Sequence, residues 1–374
     1  MKKKFAKRLG LGMGCLLCVL LSAGLLGLLL LLPSGKSAPQ AAKTIDIAQR
    51  FESGLQNRLS DAMSQISSVR KHYWIAEDAS APEPDGSAFG PAEDPAELAP
   101  LLERAQDVLE GQTLYFSPEN TQILPGSQIH YYYDETILAI TWKEAANYSA
   151  VTYSEVKIMD PSQFRRYLAG GEFASGKLML TTEMAETTNA VLACSGDFYG
   201  YRPDGVMVLD GVVRRANRGL PDICFVDKQG DLLLYRGYDF GSIQAAQDYV
   251  DEHDVRFSFS FGPLLIRDSQ RCERYDYPIG ELTQNYVRAA LCQMDSLHYL
   301  FVTCNKEVGY PRVPDIGQFT ALLLKTGCRQ AYNLDGGQTA TAVMDGQVIN
   351  NVNYGSQRKI SDIFYFATAK PSGG

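Results

Sequence analysis

The stretch "AYNLDGGQTATAVMDGQVINN", residues 331–351, contains two Asp-Gly steps that differ in kind. Asp345-Gly346 lies between short apolar runs and reads as a two-residue hairpin turn with glycine at positive φ. Asp335-Gly336-Gly337 instead follows an alternating run in which Asn333 and Asp335 share one face and Tyr332 and Leu334 the other. A plain turn requires no such polar pair. Two successive glycines, followed by the hydroxyls of Thr339 and Thr341, indicate a backbone that something approaches closely.

Upstream of this run, residues 315–326 carry Ile316, Phe319, Leu322 and Leu323 on one helical face and end at Gly327, a suitable left-handed cap. Before that, strand-like runs dominate: "IHYYYD", "ILAITWK", "AVTYSEVKIM", "AVLACSG", "GVMVLDGVVRR", "DICFVDKQGDLLLYRG", "VRFSFSFGPLLIRD", "VRAALCQMD" and "HYLFVTCN". Helices are expected at 98–110, at 161–169 opened by Pro161, and at 181–189 capped by Thr181 or Thr182. No repeat of 20–50 residues is visible. This mixture predicts an α+β domain over 101–374, with a large mixed or antiparallel sheet and flanking helices.

The N-terminal third reads differently. Residues 1–8, "MKKKFAKR", carry five positive charges, and the 24 residues of 9–32 carry none. At ~1.5 Å per residue the apolar stretch extends roughly 36 Å, enough for a transmembrane helix across a ~30 Å hydrocarbon layer. A cleaved signal peptide is the rival, although its apolar core is usually only ~7–15 residues and ends at small residues. Both readings keep the N-terminus inside and export the body, with an uncleaved anchor making a single-pass membrane protein. Residues 37–43 are a polar tether. In 44–75, Ile47, Phe51, Leu55, Leu59, Met63, Ile66 and Val69 recur every three or four residues, as in an amphipathic helix. That helix is either a stalk able to self-associate or a segment packed on its own domain. Residues 76–100 are rich in Pro, Ala and acid, the composition of an exposed linker.

Charge excludes one class of partner. Without the five basic residues of the N-terminus, 30 Lys+Arg face 43 Asp+Glu, a balance of −13. No basic run interleaved with aromatics follows the apolar stretch, so a nucleic-acid partner is not expected. Six cysteines lie beyond residue 32, none in C-x-x-C spacing, and the four histidines are scattered; a zinc site is not indicated. The cysteines either form disulfides or serve as small buried hydrophobes.

Three glycine-centred stretches stand at strand ends: "CSGDFYGYRPDG" (194–205), "SFGPLL" (260–265) and "NLDGGQTAT" (333–341). In the first, Asp197 is followed by Phe198, Tyr199 and Tyr201, a carboxylate with flat rings that suits a sugar, or an ordinary turn. Gly262-Pro263 simply ends a strand or serves a site. Arg288 opens an apolar strand, where a guanidinium needs either an acid partner or an anion.

Together, "EMAETTNAVLACSGDFYGYRPDGVMVLDGVV", "FSFGPLLI", "VRAALC", "NLDGGQTATAVMDGQVIN" and "SQRKISDIFYFAT" resemble the phosphodiester glycosidase family, well over about 180–368 and more faintly back to about 125. That family includes the mammalian enzyme removing N-acetylglucosamine from its phosphodiester on lysosomal mannose, and bacterial exported proteins, some labelled exopolysaccharide biosynthesis proteins. The family's Asn-Leu-Asp-Gly-Gly signature falls on Asn333 to Gly337. Its Asn-Gly-Asp-Phe/Tyr stretch falls on Ser195, Gly196, Asp197 and Phe198, its Gly-Pro on Gly262 and Pro263, and its two arginines on Arg288 and Arg358. Ser195 replaces the usual asparagine, and Gln338-Thr339 stands where glycine-serine is common. These departures bear on sugar or leaving-group preference and on the level of activity.

The resemblance implies a glycoside hydrolase acting on a carbohydrate phosphodiester. Its leaving group is already a stable anion, so a strong general acid matters less than a cation for phosphate. Asp335 is then the first candidate for nucleophile or base, with Asn333 beside it and Asp197 second. Arg288 and Arg358 would meet the phosphate, and the Gly336 and Gly337 amides would add donors. Thr339, Ser195, Gly196, Tyr199 and Gly262 complete the expected binding set. Asp362 and Glu183 rank as structural. No cofactor is required by the sequence; carboxylate-bound Ca²⁺ or Mg²⁺ stays open because such sites leave no spacing signature outside EF-hand-like loops. A non-catalytic glycan-binding or assembly component of a cell-envelope complex is the competing expectation.

Overall fold

The computed structural model describes residues 73–217, 221–237, 240, 242–277 and 282–371. The apolar stretch 9–32 and nearly all of the expected helix 44–75 lie outside them. Among the described residues no helix is long and apolar enough to cross a membrane. The last residues of the expected helix are not helical: Tyr73–Trp74 pairs antiparallel with Lys370–Pro371.

The body is sheet-rich with few helices, and every strand pairing among the described residues is antiparallel. A nine-stranded sheet runs in the order Gln270–Arg271, Leu264–Arg267, Gln330–Leu334, Arg288–Asp295, His298–Asn305, Ser149–Ile158, Ile137–Ala146, Ile129–Tyr133 and Phe89–Ala92. A five-stranded sheet runs Gln347–Val348, Ala342–Met344, Leu192–Ser195, Asp362–Phe366 and Phe164–Leu168. A third sheet has Leu232–Tyr235, Ile223–Asp227 and Val255–Phe259.

Both faces of the large sheet are covered, which is why its inner strands read as near-continuous apolar runs. On one face Ile137, Val156 and Leu291 share a core with Phe364 and Phe366 of the second sheet and Phe257 and Phe259 of the third. On the other, Ile140, Trp142 and Val302 pack with Leu101 and Val108 of the short helices and Phe319 and Leu323 of the helix Ile316–Leu324. That helix starts at Asp315, whose carboxylate accepts from the Gln318 N–H at 2.7 Å, and the chain leaves through Gly327 at φ 78°. The Asp345-Gly346 step forms the expected hairpin, with Val343 opposite Val348.

Four expectations are corrected. The stretch 76–100 is no exposed linker: Phe89–Ala92 is an edge strand of the nine-stranded sheet, and Ala81, Ala92 and Leu98 are buried. Several of its acids and prolines cap or open short turns and helices. Asp85 caps the 3₁₀ turn Gly86–Ala88, and Asp94 caps Pro95–Leu98 with Glu97 closing a capping box. Pro91 is tolerated because its strand is at an edge.

The expected helix 98–110 is broken into Ala99–Arg104 and Gln106–Leu109. The expected helix 161–169 is one 3₁₀ turn, Pro161–Gln163, followed by the strand Phe164–Leu168. In that strand Phe164, Arg166 and Leu168 alternate inward, and the charge at the middle inward position hid the period of two. Helix Thr181–Thr187 begins at Leu180, whose N–H donates to Glu183 at 2.8 Å, so neither threonine is the cap. A helix at Ile243–Glu252, capped by Ser242, has no counterpart in the sequence reading.

The six described cysteines are thiols; five are buried and Cys272 is half-buried. Burial pushes the Cys194, Cys224 and Cys304 thiols up, as for inert core residues.

Candidate functional site

Strand Gln330–Leu334 lies between Leu264–Arg267 and Arg288–Asp295, with Ala289 opposite Leu334 and Ala290 opposite Asn333. Carried one residue further, that register brings Arg288 and Asp335 to the same rim of the sheet. There a cavity of about 270 Å³ opens, lined by Asn333, Asp335, Gly336, Arg288 and Arg358 together with Arg202, Phe198, Phe261, Tyr286, Gln338 and Tyr354. Among these lining residues Asp335 is the only carboxylate, and the arginines are Arg202, Arg288 and Arg358.

The two glycines have separate reasons. Gly336 has φ −105°, open to any residue, but a Cβ there would stand 2.2 Å from the Val287 carbonyl oxygen. Gly337 takes φ 66°, and its N–H donates to that same oxygen at 3.0 Å. What approaches the glycines is therefore the chain itself, at the residue before Arg288. This corrects the expectation that the Gly337 amide serves a phosphate, because its donor is already used. Gly336→Ala is expected to destabilise by roughly 1–3 kcal/mol, since the Val287 carbonyl oxygen must move, and to shift the strand end that bears Arg288. Thermal melting of the purified variant checks it; an unchanged melting temperature overturns the packing argument.

Asp335 is held by Thr339, whose hydroxyl reaches Asp335 Oδ2 at 2.7 Å and the Gly336 carbonyl at 2.6 Å. Its carboxyl is pushed up to about 6, chiefly by burial, against the pull of the Thr339 hydrogen bond and of Arg358 and Arg202. Asn333 is oriented by the connection that precedes Leu264–Arg267, its Nδ2 donating to the Gly262 carbonyl at 2.8 Å. Arg288 is buried and donates from Nη2 to the Gln284 carbonyl at 2.8 Å, while Arg358 stands exposed over the Tyr201 ring at 5.6 Å. Arg202, absent from the sequence reading, lies over Phe261 at 5.3 Å and Phe198 at 5.9 Å. Its signal was an arginine closing the aromatic run "FYGYR", read there as sugar-stacking rings or an ordinary turn.

Asp197 is elsewhere. It is 1% exposed and paired with Arg166 at 2.5 Å, and Arg166 also holds Asp362 at 2.8 Å. The Asp197 carboxylate accepts from the Ser260 N–H at 2.7 Å and the Tyr199 N–H at 3.2 Å. It therefore fixes the two backbones that carry Phe198 and Phe261 to the cavity; Asp197, the second candidate carboxylate, is not among the residues that line the cavity with Asp335. Burial and the Asp197 charge raise the Asp362 carboxyl to about 7, and Arg166 offsets them. Gly196 is glycine because a Cβ would fall 1.9 Å from Asp362 Oδ2.

The remaining expected binding residues are supports rather than lining. Ser195 Oγ accepts from the Thr341 N–H at 3.2 Å, Tyr199 packs on Phe173, and Gly262 presents its carbonyl to Asn333. Asp362 is structural, as ranked, and Glu183 closes the start of its helix. Among the described residues no group of three or more His, Cys, Asp or Glu side chains is placed to hold a metal ion.

A family model described as phosphodiester glycosidase matches residues 188–367, the segment that holds Asp197, Arg202, Arg288, Asp335 and Arg358. The SPbeta prophage-derived uncharacterized protein YomE of Bacillus subtilis (strain 168) is 24% identical over 187 residues, which is 48% of this chain and 28% of that protein. The chain thus spans less than a third of that relative's length. Among solved structures, the catalytic domain of zebrafish N-acetylglucosamine-1-phosphodiester alpha-N-acetylglucosaminidase, auto-inhibited by its pro-peptide, superposes with a TM-score of 0.50 at 16% identity. It covers 62% of this chain and 82% of that one, a likeness of fold.

Proposed function

We propose, on the premise that residues 188–367 belong to the phosphodiester glycosidase family, that this chain hydrolyses the glycosidic bond of sugar-1-phosphodiesters. The observation that carries the reading is one carboxylate, Asp335, sharing a cavity of about 270 Å³ with Arg202, Arg288 and Arg358. The guanidiniums take the phosphate oxygens, and the bond from the anomeric carbon to the phosphate oxygen breaks with its electron pair leaving on phosphate. That leaving group is a stable anion without a proton, so a second carboxylate acting as general acid is not needed. Asp335 works on the opposite side, as nucleophile on the anomeric carbon or as base for the attacking water, with Asn333 beside it. Retention in the product, read by NMR, identifies the nucleophile, and inversion the base.

The substrate we propose is a glycan phosphodiester of the cell surface or of exopolysaccharide. The supporting features are the basic segment 1–8 and the uncharged stretch 9–32, which would anchor an outward-facing body. The test is incubation of the full chain, in detergent, with a panel of sugar-phosphate diesters, scoring free reducing sugar. Binding without release would instead identify a glycan-binding component.

Both roles of Asp335 need its ionised form, and its carboxyl sits at about 6. Accordingly kcat/KM should rise with pH through about 6 and fall roughly tenfold per pH unit below it. A flat profile between pH 4.5 and 8 would remove Asp335 from the reaction.

A further inference from the structure

A second cavity, of about 480 Å³, lies apart from the one that holds Asp335, and the two share no lining residue. It is lined by two sheet edges: Phe164–Leu168, which ends the five-stranded sheet, and Val255–Phe259, which ends the third. Period-two alternation divides the first edge. Arg166 turns inward and is held by Asp197 and Asp362, while Arg165 and Tyr167 turn to the opposite face and the cavity.

Two guanidiniums and a phenol meet there. Arg165, half-buried, donates from Nη2 to the Glu77 carbonyl at 2.7 Å and from Nη1 to the Ala76 carbonyl at 3.4 Å. Arg256, also half-buried, donates from Nη1 to the Pro161 carbonyl at 2.7 Å. Among the described residues neither arginine forms an ion pair with a carboxylate. Burial, and then the Arg165 charge, push the Arg256 guanidinium down from its ordinary value, and the nearby acids Glu77 and Asp160 do not make up the difference. Asp160 is committed to its own turn, accepting from the Ser162 N–H at 2.9 Å and hydroxyl at 2.6 Å. The carboxylates that line the cavity, Glu77, Asp78 and Asp210, are all exposed.

Tyr365 stands directly opposite Arg165 in the strand register, so the two side chains share a face. It is only 6% exposed, it lines the cavity, and among the described residues its hydroxyl has no hydrogen-bond partner. Burial pushes that hydroxyl up, and Arg165 and Arg256 pull against the shift, as groups that face one another. Like charges brought together out of water are costly unless an anion answers them.

We propose that this cavity is a second anion site, which takes the phosphate of a phosphomonoester between Arg165, Arg256 and the Tyr365 hydroxyl. Two cations answer a dianion, and donors from three strands fit a tetrahedral group better than a planar carboxylate. At 480 Å³ there is room for more than phosphate, and Ser80, Thr187 and Lys228 make the remaining wall polar, so the ester carries a small hydroxylated body.

The test is isothermal titration calorimetry of the full chain, in detergent, with glycerol 3-phosphate, beside glycerate and glycerol. Arg165→Gln and Arg256→Gln should each weaken glycerol 3-phosphate at least tenfold, and Tyr365→Phe about three- to tenfold. Arg358→Gln, which alters the other cavity, should leave the affinity within about twofold. Glycerate should bind at least tenfold more weakly than the phosphate, and glycerol should give no heat. Should Arg256→Gln fail to fold, Arg165→Gln and Tyr365→Phe decide. No binding by the wild-type chain, binding unchanged in Arg165→Gln, or binding lost in Arg358→Gln overturns the site. Equal affinity for glycerate overturns the phosphate assignment. The site stands independently of the glycosidase reading: a chain that cleaves no diester and still binds in this pattern keeps it.

Discussion

Asp335→Asn is expected to reduce turnover on a sugar phosphodiester by ~10³-fold or more while raising the melting temperature at pH 7. The first effect follows because an amide can neither attack the anomeric carbon nor take a proton from water, and the cavity lining offers no other carboxylate. The second follows from the sign of the titration. The folded-state carboxyl, at about 6, lies above its ordinary value of 3.8, so the native chain holds the proton more tightly than the unfolded one. Stability contributed by this group is therefore lost as pH rises from about 4 to about 6, and the cost is fully present above that. Two pH units correspond to at most about 3 kcal/mol. The amide is neutral throughout, so the variant's advantage should be largest at pH 7 and fade by pH 4. Melting curves at both pH values, beside initial rates, check the pair of effects. Retained turnover would discard the assigned role, and a lower melting temperature at pH 7 the electrostatic account.

Arg166→Met should be the most damaging substitution for the fold itself. Arg166 is buried between Asp197 and Asp362, its Nη1 donates to the Ser258 carbonyl, and its guanidinium lies 4.8 Å from the centre of the Phe259 ring. Removing it leaves two buried carboxylates facing each other without a cation, which costs about 3–5 kcal/mol. For a body of about 300 residues that is a fall of roughly 5–8 °C in melting temperature. Protonation relieves the repulsion, so the variant should recover part of the loss between pH 7.5 and pH 5. Combining it with Asp197→Asn and Asp362→Asn should restore most of it, because neutral partners need no cation. A single variant that melts like wild type, or one that worsens on acidification, would refute the ion-pair account.

These expectations separate what the sequence made legible from what it concealed. The rim of Asn333, Asp335 and the two glycines was readable because period-two alternation ends there on polar residues that a core strand does not otherwise tolerate. Arg288 was readable for the same reason. Asp197 was misplaced because a carboxylate after a buried strand looks alike whether it faces substrate or pairs inside. The deciding partner, Arg166, lies 31 positions earlier in a strand whose buried charge made it resemble a helix. The segment 76–100 was missed because prolines and acids that cap turns have the composition of a linker. The 243–252 helix was passed over because it is mostly polar and buries only Ala246 and Val250, so its apolar face is short.

Between Gly336 and the Val287 carbonyl there is no room for even one added carbon. Main chain, not side chain, sets the spacing between the strand ends that bear the acid and its buried arginine, so that spacing is indifferent to what the surrounding loops become. Substitutions in the 353–358 loop, or at position 338, therefore leave the distance between the two strand ends as the main chain sets it.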